Sequence, residues 1–264
     1  MFPYLFHIGP IYFNMYGFCI ALGMLVFVWL AGQDPLAKKY LKRDQLMHIM
    51  IFSLIVGLVG SRITYILQYP NEGFDSWYDY IAIWEGGLSL LGAVIPLIIT
   101  LPLYLRYQKI PIMPLLDLTG IYGALLQAIA RLGCFFAGCC NGCITTVPWA
   151  IIYTHPDSRA VPMRVPIHPT QIYSSLILLI IFVFMYFIGH RWFKKPGQLF
   201  SCYLVLSSAE RFFNDFFRAE HYQEPLWRNI ITQNQLLALA IFGVGCIGLI
   251  TASMINSKRY HDNL

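Results

Sequence analysis

Seven apolar runs, at about 11–32, 46–68, 82–105, 115–138, 170–189, 198–217 and 231–254, constrain this chain more than any other feature. Each reaches the roughly 20 residues that a helix needs to cross a bilayer. The expected fold is all-α: a polytopic membrane protein of seven transmembrane helices, with residues 1–264 forming a single transmembrane domain. Only 12% of the residues are charged, about half the share found in soluble domains. The first run follows Met1–Phe2–Pro3–Tyr4, which lacks the basic region and cleavage site of a removable signal peptide, so it is expected to be retained.

The charges between the runs predict orientation. Lys38, Lys39, Lys42 and Arg43 follow the first run, Arg106 and Lys109 the third, Arg191, Lys194 and Lys195 the fifth, and Lys258 and Arg259 the last. The alternate loops mix acids and bases. Basic residues collect on the cytoplasmic side, so the N-terminus is predicted outside and the C-terminus in the cytoplasm. Trp77, Tyr78, Tyr80 and Trp84 then form an outer interfacial belt. The net charge of +5 is accounted for by these short loops and points to no nucleic-acid partner.

On this map the polar residues of the runs gather at the outer depth: Asn14, Tyr16, Arg62, Glu85, Arg131, His168, Gln171, Arg211, Asp215, Arg218, Gln233 and Gln235. Asp117 alone lies at the cytoplasmic end, where a boundary position suffices to explain it. Ionisable residues inside membranes are functional candidates by default. Arg62, Arg131 and Arg211 outnumber Glu85 and Asp215, which leaves room for an anion. Guanidinium groups match phosphate oxygens with two parallel hydrogen bonds, and a phospholipid head group is the anion at hand.

Four motifs carry this reading. In Trp84–Gly92, Gly86 and Gly87 either let a ligand approach the backbone or let helices pack closely; Glu85 either pairs structurally or orients an arginine. Arg131–Leu132–Gly133 offers a phosphate ligand or a salt bridge to Asp215 or Glu85. In His168–Tyr173, Pro169 and Thr170 suit a helix start, while His168 is structural or transfers a proton. In Glu210–Arg218, Arg211, Asp215 and Arg218 recur at i, i+4 and i+7, a charged stripe that must face the bundle interior.

At these residues the chain resembles the prolipoprotein diacylglyceryl transferase family. The likeness rests on Tyr16–Gly17, Trp84–Gly87, Arg131–Gly133, Gly142, His168–Tyr173 and the Arg211/Asp215/Arg218 helix, which has aspartate for the usual glutamate. The resemblance implies transfer of a diacylglyceryl group from phosphatidylglycerol to the lipobox cysteine of prolipoproteins, at the outer face of the bacterial inner membrane. Its partners are then phosphatidylglycerol, the lipobox segment and membrane lipids, with no cofactor. Arg131 and Arg211 would hold the phosphate, Glu85 and Asp215 would orient them, and Tyr16 would touch the head group. Gly86, Gly87, Gly133, Gly142, His168, Gln171 and Arg218 would complete the substrate site. The chain departs from the pattern at Cys134, Ala137 and Cys139 within the signature, and at Leu91, Ser207 and Ser174, where the family keeps a histidine, a tyrosine and a glutamate.

Cys134, Cys139, Cys140 and Cys143 follow the spacing C-x4-C-C-x2-C. Four readings stay open: a disulfide in an oxidising compartment, a reactive thiolate beside Arg131 with Cys139 as the catalytic candidate, thiolate metal binding, and small apolar packing. No metal ligand is assigned, and Cys19, Cys202 and Cys246 are packing residues. The alternatives to the family reaction are a paralogue using a cysteine thiol and another acceptor, or a non-catalytic binder of anionic lipid.

Overall fold

The computed structural model describes residues 3–8, 11–70, 77–82, 87–219, 225–227 and 231–254. Strands β1 (Tyr4–Ile8) and β2 (Ile11–Asn14) form a two-stranded ribbon that leads into α1 (Met15–Ala31). The helices α2 (Pro35–Tyr40), α3 (Arg43–Gln68), α4 (Trp77–Ile81), α5 (Leu90–Tyr107), α6 (Ile112–Ala137) and α7 (Thr170–Phe184) follow. A π-helical turn, Met185–Gly189, carries α7 into the short α8 (His190–Trp192). After α9 (Gln198–Asp215), a small ribbon of β3 (Pro225–Trp227) and β4 (Ile231–Thr232) leads into α10 (Gln233–Met254).

The molecule is mostly helical, as its apolar runs require. Among the described residues, four helical stretches are long and apolar enough to cross a membrane: Asp44–Gln68, Ile112–Ala137, Thr170–Trp192 and Gln233–Met254. Met15–Ala31 and Leu91–Tyr107 are shorter apolar helices. The run at 198–217 does form a helix, but Glu210, Arg211 and Asp215 in the last turns of α9 lower its hydropathy.

The chain divides into two compact units, residues 6–13 with 32–112, and residues 1–5 with 14–31 and 113–264. In the former, α3 packs on α5 through Gly60 and Gly92, where a Cβ on Gly60 would overlap the Gly92 carbonyl. The Ser89 amide donates to Ser61 O at 3.1 Å. Close packing is therefore what the end of the Trp84–Gly92 motif does, as small residues do between membrane helices.

In the latter unit, α9 packs along α10, and Gly245 admits the Ser201 carbonyl, 3.0 Å from where a Cβ would stand. Asp117 proves to be more than a boundary residue. It is 3% exposed, and its two carboxylate oxygens accept from the amides of Gly197 (2.7 Å) and Phe200 (2.9 Å). It thereby satisfies orphan N–H groups at the start of α9, a capping carboxylate supplied from another helix. The segment between α6 and α7 is irregular but anchored. Ile167 bridges to Ile144 and Ile151, and Tyr153, Ala160 and Ile167 bury together. The Tyr153 hydroxyl donates to Phe135 O at 2.7 Å, tying this segment back to α6.

Candidate active site

Within the larger unit, polar side chains from four helix ends meet around the turn that follows α6. The turn exists because Gly138 (φ +79°) and Cys140 (φ +59°) both take the left-handed conformation, which reverses the chain over the last turn of α6. Two residues at the start of α7 then hold the reversed backbone: Thr170 Oγ1 donates to Cys140 O at 2.8 Å, and Gln171 Nε2 to Cys139 O at 2.8 Å. Pro169 and Thr170 stand at the start of α7, as their residue types suit. The observed N-cap position is Pro169, with no capping side chain, because the Thr170 hydroxyl is engaged across the turn.

Gly142 is the crossing point of three extended segments. Its amide donates to His168 O at 3.1 Å, and it bridges to Arg218. Alongside, Cys143 N donates to Phe217 O at 2.9 Å and Ala219 N to Asn141 O at 3.1 Å. A Cβ on Gly142 would stand 2.5 Å from both Cβ and O of His168, so only glycine lets the segments meet. Gly133 works similarly at helix scale. A Cβ there would be 3.0 Å from Tyr16 Cα and Cys19 Cβ, so Gly133 lets α6 press on α1 and brings Tyr16 to the site.

Arg211, at the end of α9, places Nη2 3.4 Å from Asp215 Oδ1, and Arg218 Nε lies 3.9 Å from the same oxygen. Asp215 is fully buried, and its Oδ2 accepts from Thr232 Oγ1 at 2.5 Å. Thr232 in turn accepts from Gln235 N at 3.1 Å, while Gln235 Oε1 accepts from Thr232 N at 3.1 Å. This is a capping box at the start of α10 that also fixes Asp215. The Thr232-x-x-Gln235 spacing was visible in the sequence, but its link to Asp215 is tertiary.

The second acid is Glu210, 7% exposed, which sequence reasoning left without a role. It accepts from Ser174 Oγ at 2.5 Å and lies within electrostatic reach of Arg131, Arg211 and Arg218. The i, i+4 pair Glu210–Asn214 beside Arg211–Asp215 was the available signal: Asn214 Nδ2 donates to Thr170 O at 3.2 Å, so this face points inward. Glu85, expected to orient an arginine, and Gly86, expected at the substrate site, lie outside the described residues. Gly87 lies in the other unit at φ +65°, where its carbonyl accepts from Arg62 Nη1 at 2.9 Å.

Arg131 differs from its neighbours. It is half-buried and, among the described residues, makes no hydrogen bond or ion pair, yet it lies within electrostatic reach of Tyr16, Cys140, Glu210 and Arg211. Among the described residues, Arg131, Arg211 and Arg218 thus gather beside two buried acids, Asp215 and Glu210, a concentration of guanidinium groups suited to an anion.

His168 and the thiols complete the site. His168 Nδ1 is 3.1 Å from the Tyr173 hydroxyl, which accepts from Trp149 Nε1 at 2.7 Å. The direction of the His168–Tyr173 hydrogen bond follows the imidazole tautomer, and Trp149, Tyr173 and His168 form one hydrogen-bonded chain. Burial lowers the His168 pKa, and the ring packs edge-on to Phe217 with centroids 5.4 Å apart. The sulfurs of Cys134, Cys139 and Cys140 lie within 4.8 Å of one another, and all seven cysteines are free. Hydrogen bonds from Cys134 and Cys139, then Arg218 and Arg131, hold the Cys140 thiol well below its usual range. Cys139, the candidate from the sequence, is shifted the other way by its hydrogen bonds to Cys134 and Cys140.

The family model described as prolipoprotein diacylglyceryl transferase matches residues 3–251. The chain is 30% identical to the phosphatidylglycerol–prolipoprotein diacylglyceryl transferase of Geobacter sulfurreducens over 265 residues, 97% of this chain and 96% of that protein. It is 30% identical to the enzyme of the same name from Thermotoga maritima over 261 residues, 97% of this chain and 87% of that one. The likeness to the Clostridium tetani enzyme is 30% over 218 residues, 83% and 86% of the two chains. Sequence motifs, membrane-length helices and the arginine-lined site thus agree with these likenesses, and the chain belongs to the prolipoprotein diacylglyceryl transferase family.

Proposed function

We propose that this membrane protein transfers the diacylglyceryl group of phosphatidylglycerol to the lipobox cysteine thiol of prolipoproteins. On this reading it is a multi-pass, single-domain protein of the bacterial inner membrane, its seven helices placing the N-terminus and the arginine site at the outer face. The observation that carries the reading is the convergence of Arg131, Arg211 and Arg218 on one buried region with Asp215 and Glu210.

The chemistry follows from charge. The acceptor thiol gives its proton to water, and the thiolate attacks the glycerol carbon that bears the phosphate. A C–S bond forms, the C–O bond breaks, and glycerol phosphate leaves with the bonding electron pair. Negative charge therefore grows on the phosphate oxygens in the transition state. Arg131 and Arg211 are placed to stabilise it in a low-dielectric site, where preorganised charge acts most strongly. Asp215 holds Arg211 and Arg218 in position, and Tyr16 faces the head group.

The test is to incubate the purified protein with phosphatidylglycerol vesicles and a lipobox peptide, and to follow both products by mass spectrometry. Diacylglyceryl-modified peptide and glycerol phosphate are expected in equal amounts. Failure to form either product, while a relative of the same family succeeds under identical conditions, contradicts the proposal.

A further inference from the structure

We propose that Cys134, Cys139 and Cys140 form a three-sulfur binding site for a soft, thiophilic metal ion, zinc or copper(I). Their sulfurs lie within 4.8 Å of one another. Metal–thiolate bonds of about 2.3 Å put sulfurs about 3.8 Å apart, so a shift of roughly an ångström closes the site. Thiolates select zinc and copper(I) over harder cations. The sequence assigned no metal ligand because these cysteines lack paired C-x-x-C knuckles. The structure supplies the missing proximity through the left-handed turn at Gly138 and Cys140.

The other readings of the cysteines account for less of what is seen. Small apolar packing suits buried Cys134, but Cys139 and Cys140 are only half-buried. A disulfide would take two sulfurs and leave a third beside it unexplained. A metal ion takes all three. The turn is also held as a ligand site must be: the carbonyls of Cys139 and Cys140 are fixed by Gln171 and Thr170, and Cys140 takes a backbone conformation that L-residues generally avoid. Three thiolates around zinc carry one net negative charge, and Arg131 and Arg218 lie within electrostatic reach of Cys140 to offset it. Cys143, from the same motif, stands outside the three-sulfur group.

Three protein sulfurs leave zinc one coordination position, and a thiol bound there is deprotonated. On the transferase reading, on which this consequence alone rests, that position takes the acceptor thiol. It would supply the thiol activation for which the chain offers Leu91 and Ser207 in place of the family's histidine and tyrosine.

The test uses the full-length protein, purified in detergent under reducing conditions and equilibrated with zinc alone or copper(I) alone. Metal per chain is measured by plasma mass spectrometry, and ligation by X-ray absorption. One bound ion per chain with three sulfur ligands is expected. Cys139→Ser and Cys140→Ser should bind at least about tenfold more weakly, while Cys143→Ser and Cys202→Ser bind normally. Cys134 is buried, so if Cys134→Ser fails to fold, the two half-buried positions decide. Folded wild type without stoichiometric metal, fewer than three sulfurs in the shell, or full binding by Cys139→Ser with Cys140→Ser combined overturns the proposal. Peptide lipidation is measured on the same samples. Transfer without metal removes this inference only, and metal without transfer removes the transferase reading only.

Discussion

Arg62 and Arg131 look alike in the sequence, each a single arginine in an apolar run, and the structure separates them. Arg62 is 9% exposed and its guanidinium is committed to backbone. Nη1 donates to Gly87 O at 2.9 Å, Nε to Tyr80 O at 3.3 Å, and Nη2 to Asp79 O. Gly87 leaves no room beside it, since a Cβ there would be 2.6 Å from Arg62 Nη1. Arg131 has no such bonds among the described residues and shares its surroundings with Arg211 and Arg218. An arginine whose donors are engaged by carbonyls holds a fold together. One whose donors are open, beside other cations, is placed to hold an anion.

Four substitutions probe that contrast. Arg131→Ala should have the largest effect, lowering kcat/KM for peptide lipidation by about 10²–10³-fold, or about 3–4 kcal/mol of transition-state stabilisation, with the melting temperature nearly unchanged. Arg62→Ala should do the reverse. It strips the hydrogen bonds that join Tyr80 and Gly87 to α3, at about 2–3 kcal/mol, seen as a lower melting temperature with activity per folded molecule largely kept. If Arg62→Ala instead abolishes turnover without loss of stability, Arg62 belongs with the anion-binding arginines and the contrast fails.

The third is Gly142→Ala, which should destabilise by about 1–3 kcal/mol through overpacking against His168 and cut turnover as well, because Arg218 hangs on the same junction. A melting curve identical to wild type would show that the three-segment crossing yields easily. The smallest effect concerns pH. Burial keeps His168 neutral in the folded protein at values where the unfolded chain takes up a proton. Its contribution to stability is therefore complete above the ordinary imidazole pKa of about 6.5 and falls as pH drops through it. His168→Gln should flatten the melting temperature between about pH 7.5 and 5.5, and an unchanged slope would place the titration elsewhere.

Much of this was legible in the chain itself. Hydrophobic run length gives the helices, and the i, i+4 spacing of Arg211 and Asp215 puts them together on one face of α9. Arg218, expected on the same helical stripe, instead lies past the end of α9 on the segment bridged to Gly142 and approaches Asp215 from there. What was hidden depends on contacts between distant segments. Glu210 gains a place in the site only through Ser174 on α7, and Asp215 is fixed by a capping box on α10. The roles of Asp117 and Thr170 likewise come from partners that no local pattern names. The cysteine spacing left four chemistries open because nothing in it reveals that two left-handed residues fold Cys139 and Cys140 back onto Cys134. Periodicity reports which face of a helix is buried; it does not report which face it meets.

The most direct measurement is the lipidation rate of Arg131→Ala and Arg62→Ala side by side, each normalised to folded protein, with phosphatidylglycerol vesicles and a lipobox peptide. A loss of about 100-fold or more for Arg131→Ala, with less than tenfold for Arg62→Ala, is the predicted result. Arg131→Ala turning over at the wild-type rate would contradict the assignment of Arg131 to the phosphate.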